Sequence, residues 1–172
     1  MKPIHVVIAE RHGRFVGVAY GSGVLANTVP HSTQSEVIED LQASGLDTVG
    51  FVGASDSVAD LIFDLWAGRN VQSRASEMDL DFSGLTEKTR KVLTAVRKIP
   101  PKETLSYSQV ACMASLDGAA RFVGNVMAAN RFPLVVPCHR VVKADGSVGG
   151  YGYGSETKAE ILRREGYQHV KV

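Results

Sequence analysis

Cysteine is scarce in this chain. Its 172 residues hold only Cys112 and Cys138, so no disulfide framework can staple it. Two thiols also fall short of a cysteine-built zinc site, which takes about four ligands with thiolates at close spacing, and no metal is expected. Both thiols are expected to be free and reduced. Long apolar runs are missing as well. Nothing approaches the roughly 18 uninterrupted apolar residues of a membrane-spanning helix, and Met1-Lys2-Pro3-Ile4-His5 lacks the apolar stretch and small-residue cleavage site of a secretory signal. The expectation is a cytoplasmic protein, nuclear if the source is a eukaryote, with no membrane partner. The remaining composition, 44% hydrophobic and 22% charged, is that of an ordinary globular protein, and the length permits one domain or two small ones.

A net charge of one sign is missing too, since the formal charge is +1. That balance hides an asymmetry. Residues 1–85 carry 5 basic and 11 acidic side chains, whereas residues 86–172 carry 14 and 7. A basic half attracts a polyanion, most simply a nucleic acid through its phosphates; a solvated face with no partner has the same charge signature.

The segments Ile4 to Ala9, Phe15 to Ala19 and Val24 to Val29 are rich in β-branched or aromatic residues and predict three strands. Thr33 and Glu36 form a capping-box pattern ahead of Val37, Ile38 and Leu41, with Gly45 as a natural stop. Val49 to Val52 predicts a fourth strand. Val58, Leu61, Ile62, Leu65 and Trp66 line one face of a second helix, capped by Ser55 or Ser57. From Arg69 to Ser83 periodicity is lost, which predicts a linker and a domain boundary, dividing the chain into residues 1–80 and 81–172. A third helix opens at Thr86 and ends at Ile99-Pro100-Pro101. Ser106 to Met113, a turn at Leu116-Asp117-Gly118, and Ala119 to Ala129 then give a helix-turn-helix outline. The small residues Ala119, Ala120, Gly124, Ala128 and Ala129 suit either close approach to a partner or tight packing in a core. After a basic helix, the outline gains weight as a DNA-binding unit.

The run Leu134 to Val142 is apolar and strand-like except for Cys138, His139 and Arg140. Burying these three together costs free energy unless each is satisfied. They fit an inert thiol, a hydrogen-bonded histidine and an ion-paired arginine, or a nucleophile activated by its neighbours, because only the thiolate attacks and its free pKa is about 8.5. Along an extended strand consecutive side chains point to opposite faces, so His139 would reach the sulfur only across a turn at Pro137 or through a bridging water, an indirect relay. A glycine-punctuated loop, Gly146 to Gly154, carries Tyr151 and Tyr153. A last helix, Ser155 to Glu165, stops at Gly166, and Glu165 at its end is poised to orient His139. Cys112 sits among Val110, Ala111, Met113 and Ala114 and is expected to be structural, its apolar surroundings raising the thiol pKa and suppressing reactivity.

The run Pro137-Cys138-His139-Arg140-Val141 resembles the active-site signature of the O6-alkylguanine-DNA alkyltransferases, also called methylated-DNA–protein-cysteine methyltransferases. Asn130, eight positions before the cysteine, stands where that family has its hinge asparagine, Arg121 at its arginine finger, Tyr107 at its base-contacting tyrosine and Glu165 at its histidine-orienting glutamate. The resemblance covers roughly Phe82 to Gly166. It implies an α/β, RNase H-like N-terminal domain and a mainly α C-terminal domain whose helix-turn-helix meets duplex DNA in the minor groove. Arg121 would replace a flipped O6-alkylguanine, with Ala120, Gly124, Asn125 and Ala128 against the DNA. Cys138 would take the alkyl group irreversibly, once per molecule. His139 would accept the thiol proton through water, Tyr107 would assist the leaving base, and the carbonyls of Cys138 and Val141 would read its exocyclic amine. Met127, Val141, Tyr151 and Gly152 would wall the pocket. No cofactor is implied, and a monomer is expected.

The chain departs from that pattern in places. It has no cysteine before Cys112, so the zinc of some members is not carried over, and Cys138 separates it from the lesion-binding branch with tryptophan there. Asn125 stands where a small residue is expected, and Phe122 is bulky beside the finger. Two rivals remain: a lesion-binding protein that recruits other repair factors, and a thiol hydrolase, for which adjacent Cys and His are poor geometry.

Overall fold

The computed structural model describes residues 4–46, 51–53 and 55–171. Short, largely buried runs build β1 (His5–Arg11), β2 (Arg14–Tyr20) and β3 (Val24–Asn27), and β4 (Phe51–Gly53) completes a sheet of order β3-β2-β1-β4. Strands β1, β2 and β3 pair antiparallel, while β4 runs parallel to β1. Val49 and Gly50, the front of the fourth expected strand, lie outside the described residues.

Helix α1 (Gln34–Ala43) opens with the expected capping box of Thr33 and Glu36. It covers one face of the sheet, where Val37 and Leu41 meet Val6, Ile8, Ala19 and Ala26. Gly17 makes room for this contact, because a side chain there would run into Val37 and Leu41. Helix α2 (Ser57–Trp66) covers the other face, and its N-cap is Asp56, whose carboxylate accepts from the amides of Val58 and Ala59 at 2.9 Å. The expected serine caps are therefore corrected. A carboxylate at that position also complements the helix dipole, which neither neighbouring serine can do.

The expected linker is not featureless. It contains α3 (Gln72–Glu77), six residues long and without a side-chain cap. Arg97 holds it from outside, donating from NH2 to the carbonyls of Ala75 and Met78. Arg97 belongs to α4 (Glu87–Arg97), capped by Thr86 as expected. A two-residue strand β5 (Leu105–Ser106) leads into α5 (Tyr107–Met113), which Ser106 and Gln109 cap reciprocally. After the turn comes α6 (Ala120–Ala128), then a 3₁₀ turn at Cys138–Arg140, β6 (Val141–Val142) and α7 (Ser155–Arg164). The fold is mixed α/β. Among the described residues no helix is long and apolar enough to cross a membrane.

One apolar cluster joins the two halves, running from Val16, Val18 and Ile62 through Val92 and Val96 to Val110, Val123 and Val141. Polar contacts along the seam end largely on backbone. Asn27 Nδ2 donates to the Pro133 carbonyl at 2.9 Å, and Arg131 NH2 donates to that of Asp81 at 2.9 Å. Arg164 donates to the Trp66 carbonyl at 3.2 Å while its guanidinium lies 4.8 Å from the centre of the Trp66 ring. Gly68 permits this approach. Its φ is +74°, and a side chain there would collide with the Arg164 backbone. Gly68→Ala should thus lower stability by roughly 2–3 kcal/mol, the sum of left-handed strain and a clash with rigid backbone; a urea melt matching the parent would remove this contact from the account.

Candidate active site

The backbone before Cys138 is folded back on itself rather than extended. Leu134 adopts φ +70°, a conformation that side chains other than glycine seldom take. Pro137, at φ −77° and ψ 66°, forms an inverse γ-turn in which the Cys138 amide donates to the Val136 carbonyl at 2.7 Å. The Arg140 amide then closes the 3₁₀ turn on Pro137 at 2.9 Å. The strand expected over Leu134 to Val142 is thereby confined to β6. With about three residues per turn, Cys138, His139 and Arg140 leave the backbone in three directions. Proline's fixed φ and missing donor make this reversal local.

Cys138 faces a cavity of about 340 Å³ whose wall includes Tyr107, Gly124, Met127, Tyr151 and Lys158. Ala128 and Gly152 complete the rim. The parallel pairing of Leu105 with Val141 and Ser106 with Val142 brings Tyr107, the first residue of α5, to this wall. Asn130, just past α6, donates from Nδ2 to Cys138 Sγ and to the Val136 carbonyl, both at 3.1 Å, while its Oδ1 accepts from the Phe132 amide at 3.0 Å. One side chain thus ties the end of α6 to the turn and to the sulfur. Burial pushes the Cys138 thiol pKa up, while the Asn130 hydrogen bond and the Lys158 charge pull it down.

His139 and Arg140 turn away from the cavity and converge on Glu165. His139 Nε2 lies 2.9 Å from Glu165 Oε1, and Arg140 reaches Oε1 from NH2 at 2.7 Å and Oε2 from Nε at 3.0 Å. Burial opposes ionisation of Glu165, yet the His139 and Arg140 hydrogen bonds and charges outweigh it and hold the carboxyl down to about 2. A carboxylate at Oε1 requires Nε2 to carry the hydrogen, which leaves Nδ1 with the lone pair. That Nδ1 is buried without a hydrogen-bond partner among the described residues. Burial lowers the His139 pKa against the pull of Glu165.

Lys158 was not anticipated, nor was Gln72. Lys158 is 1% exposed, and its Nζ donates to the Val141 carbonyl at 2.6 Å. Burial drives its pKa down to about 8, against the attraction of Cys138. The signal was present: Lys158 and Glu165 are seven positions apart on the buried stripe of Ile161 and Leu162. Gln72 lies in the segment read as linker and accepts from Arg140 NH1 at 2.9 Å.

The remaining expected residues divide into two groups. Arg121, Asn125 and Ala128 share the exposed face of α6, with Ala120 half-buried beside them; of these only Ala128 also reaches the cavity that Cys138 faces. Val141 is fully buried in the core and meets the site through its carbonyl, already engaged by Lys158. Tyr151 walls the cavity, and its buried hydroxyl faces the sulfur without a formed hydrogen bond. Cys112 is exposed and its pKa is raised as expected, but the cause is corrected: Asp117 beside it, rather than an apolar setting, quiets this thiol.

A mixed α/β fold that presents a buried, hydrogen-bonded cysteine to a cavity defines a thiol-centred transfer protein. The family model described as "6-O-methylguanine DNA methyltransferase, DNA binding domain" matches residues 87–167. The methylated-DNA–protein-cysteine methyltransferase of Methanocaldococcus vulcanius is 32% identical over 161 residues, 92% of this chain and 96% of that protein. The one from Methanothermobacter thermautotrophicus is 47% identical over 87 residues, 51% of this chain and 48% of that protein, so the match spans about half of that relative. The crystal structure of the O6-methylguanine-DNA methyltransferase of Pyrococcus kodakaraensis shares the fold, with a TM-score of 0.74 at 24% identity over 94% of this chain and 99% of that one. The chain belongs to the methylated-DNA–protein-cysteine methyltransferase family.

The depressed Glu165 pKa makes the site a source of acid sensitivity. A carboxylate held below its unfolded value of 4.5 contributes stability that is present above that pH and lost as pH falls towards about 2. Glu165→Gln should cost on the order of 3 kcal/mol at neutral pH, leaving Arg140 buried without its counter-charge, and should flatten the stability slope between those two values. Unfolding curves across this range test it, and an unaltered slope would assign the acid limb to other groups.

Proposed function

We propose that the protein repairs O6-alkylguanine in double-stranded DNA by moving the alkyl group irreversibly onto Cys138. The observation that carries this reading is the Cys138 sulfur, buried at the wall of a cavity and held at 3.1 Å by the Asn130 amide. A sulfur so placed is out of reach of a base inside a duplex, which argues for a nucleotide flipped into the cavity. The matched family model, by its description a DNA binding domain, supports DNA as the partner. The chain acts as a monomer in this reading. Residues 1–80 form an RNase H-like supporting domain, and residues 81–172 carry DNA binding and transfer.

Helices α5 and α6 act as a helix-turn-helix whose exposed face enters the minor groove, with Arg121 in the gap left by the flipped base and Ala120, Gly124, Asn125 and Ala128 against the backbone. His139 Nδ1 takes the thiol proton through a water, helped by the Glu165 carboxylate at Nε2. The Cys138 sulfur forms a bond to the alkyl carbon as the bond from that carbon to O6 breaks. The electron pair departs on guanine, which Tyr107 assists by donating a hydrogen bond or proton. Lys158 favours the thiolate through its charge and fixes the Val141 carbonyl. Met127, Tyr151 and Gly152 wall the alkyl group. The product is a thioether, so each molecule reacts once.

Incubation with excess duplex containing O6-methylguanine should add a single methyl group per molecule, mapped to Cys138 by intact mass and peptide analysis. Lesion binding without any mass change would favour a lesion-recruiting protein instead. Lys158→Met should move the pH dependence of Cys138 alkylation by iodoacetamide upward by about one unit, because a nearby cation favours the charged form of a thiol. A coincident profile would leave Lys158 a structural role only.

A further inference from the structure

The loop that carries Tyr151 is held from the other half of the protein. Between β6 and α7 the chain forms no regular element, and Gly149 and Gly154, at φ +68° and +92°, bend it at either end. Its own hydrogen bonds are few. The Gly154 amide donates to the Tyr151 carbonyl at 3.0 Å, and Lys158 Nζ lies 3.5 Å from the Gly150 carbonyl, long for a hydrogen bond. The Tyr151 hydroxyl has no partner among the described residues.

Tyr153 supplies the anchor. Its hydroxyl donates to Asp40 Oδ2 on α1 at 2.8 Å, and burial together with the Asp40 charge pushes the Tyr153 pKa up, so the hydroxyl keeps the proton it donates. Asp40 is itself fixed. The same oxygen lies 2.9 Å from His31 Nε2, and His31 is bound to β2 by two backbone hydrogen bonds exchanged with Phe15, both at 2.9 Å. The His31 ring meets that of Tyr153 edge-on, 6.1 Å between centres. Sheet, α1 and loop thus meet at one carboxylate. What this anchor steadies is Tyr151, whose ring lies 5.5 Å from that of Tyr153, centre to centre, with only Gly152 between them in sequence. Glycine leaves the backbone there free to turn, so packing on Tyr153 decides where the Tyr151 ring stands in the wall of the Cys138 cavity.

We propose that Asp40 and Tyr153 are positioning residues for the transfer step, their hydrogen bond holding Tyr151 against Cys138 so that the cavity wall is set when the lesion arrives; this assignment rests on the alkyl-transfer reading. Both act through Tyr151. The N-terminal half then contributes to the rate through a named bond, besides supporting the fold. Its effect falls on the step after binding, because the exposed face of α6 that would meet DNA lies outside this set of contacts.

The test is single-turnover transfer from duplex O6-methylguanine over a range of DNA concentrations, measured on the folded fraction of each variant, which separates the maximal rate from the half-saturating concentration. Tyr153→Phe keeps the ring and removes the donor, and Asp40→Ala removes the acceptor. Each should lower the maximal rate by about tenfold and leave the half-saturating concentration unchanged, as when a remote change shifts the reacting geometry. Asp40→Asn retains an acceptor oxygen and should recover most of the loss. The double variant should be no slower than either single one, because both substitutions remove the same bond. Parental rates in folded Tyr153→Phe overturn the assignment, as do losses that multiply in the double variant or a half-saturating concentration that rises at constant maximal rate. Absence of methyl transfer by the parent protein would instead remove the alkyl-transfer reading itself, and this assignment with it.

Discussion

The buried carboxylate of Glu165 is the constraint on which the site depends. Two side chains from one tight turn, His139 and Arg140, converge on its two oxygens, and their hydrogen bonds hold the carboxylate charged in the core. The carboxylate dictates the histidine tautomer, so the free lone pair is at Nδ1. It also neutralises a guanidinium that continues outward to Gln72 and to the Ile99 carbonyl. The end of α7, the reactive turn and the α3 segment are therefore held by one cluster. A shift in any of them is felt at the histidine.

Around that cluster the protein arranges opposing influences on one sulfur. Burial disfavours the thiolate, while the Asn130 amide and the Lys158 ammonium favour it. Lysine itself resists the same burial, as its lowered pKa records. Each group thus moderates the other, and the thiol is held ready without being fully ionised. In the proposed reading His139 as base and Lys158 as cation would serve this sulfur once a substrate enters.

Regular elements were legible in the sequence because periodicity and caps are local. The strands, the Thr33 capping box and the stop at Gly166 could be read from single residues and their spacing. The turn at Pro137 could be read only as one of two alternatives, since its geometry depends on a backbone hydrogen bond and on Leu134 in a left-handed conformation that no propensity favours. Helix α3 escaped notice because six residues show no period and Arg97, over twenty positions away, supplies its anchoring. Of the site, Cys138, His139, Glu165, Asn130 and Tyr107 stood out by residue type and by resemblance. Lys158 hid on an apolar stripe, where a lysine is easily taken for a surface residue. Its spacing from Glu165 was the clue.

The seam between the halves has a consequence for how the protein can change over time. Arg97, Arg164 and Asn27 all direct donors at main-chain carbonyls of the other half. A carbonyl is the same at every residue, so the accepting positions, Pro133 aside, can exchange side chains without losing the bond. A half anchored in this way is free to diverge in sequence while keeping its place, and only the donors are bound to their identity. Kinship between distant versions of such a protein would then be written in its shape and in a handful of arginines, long after the sheet-bearing half has lost any common spelling.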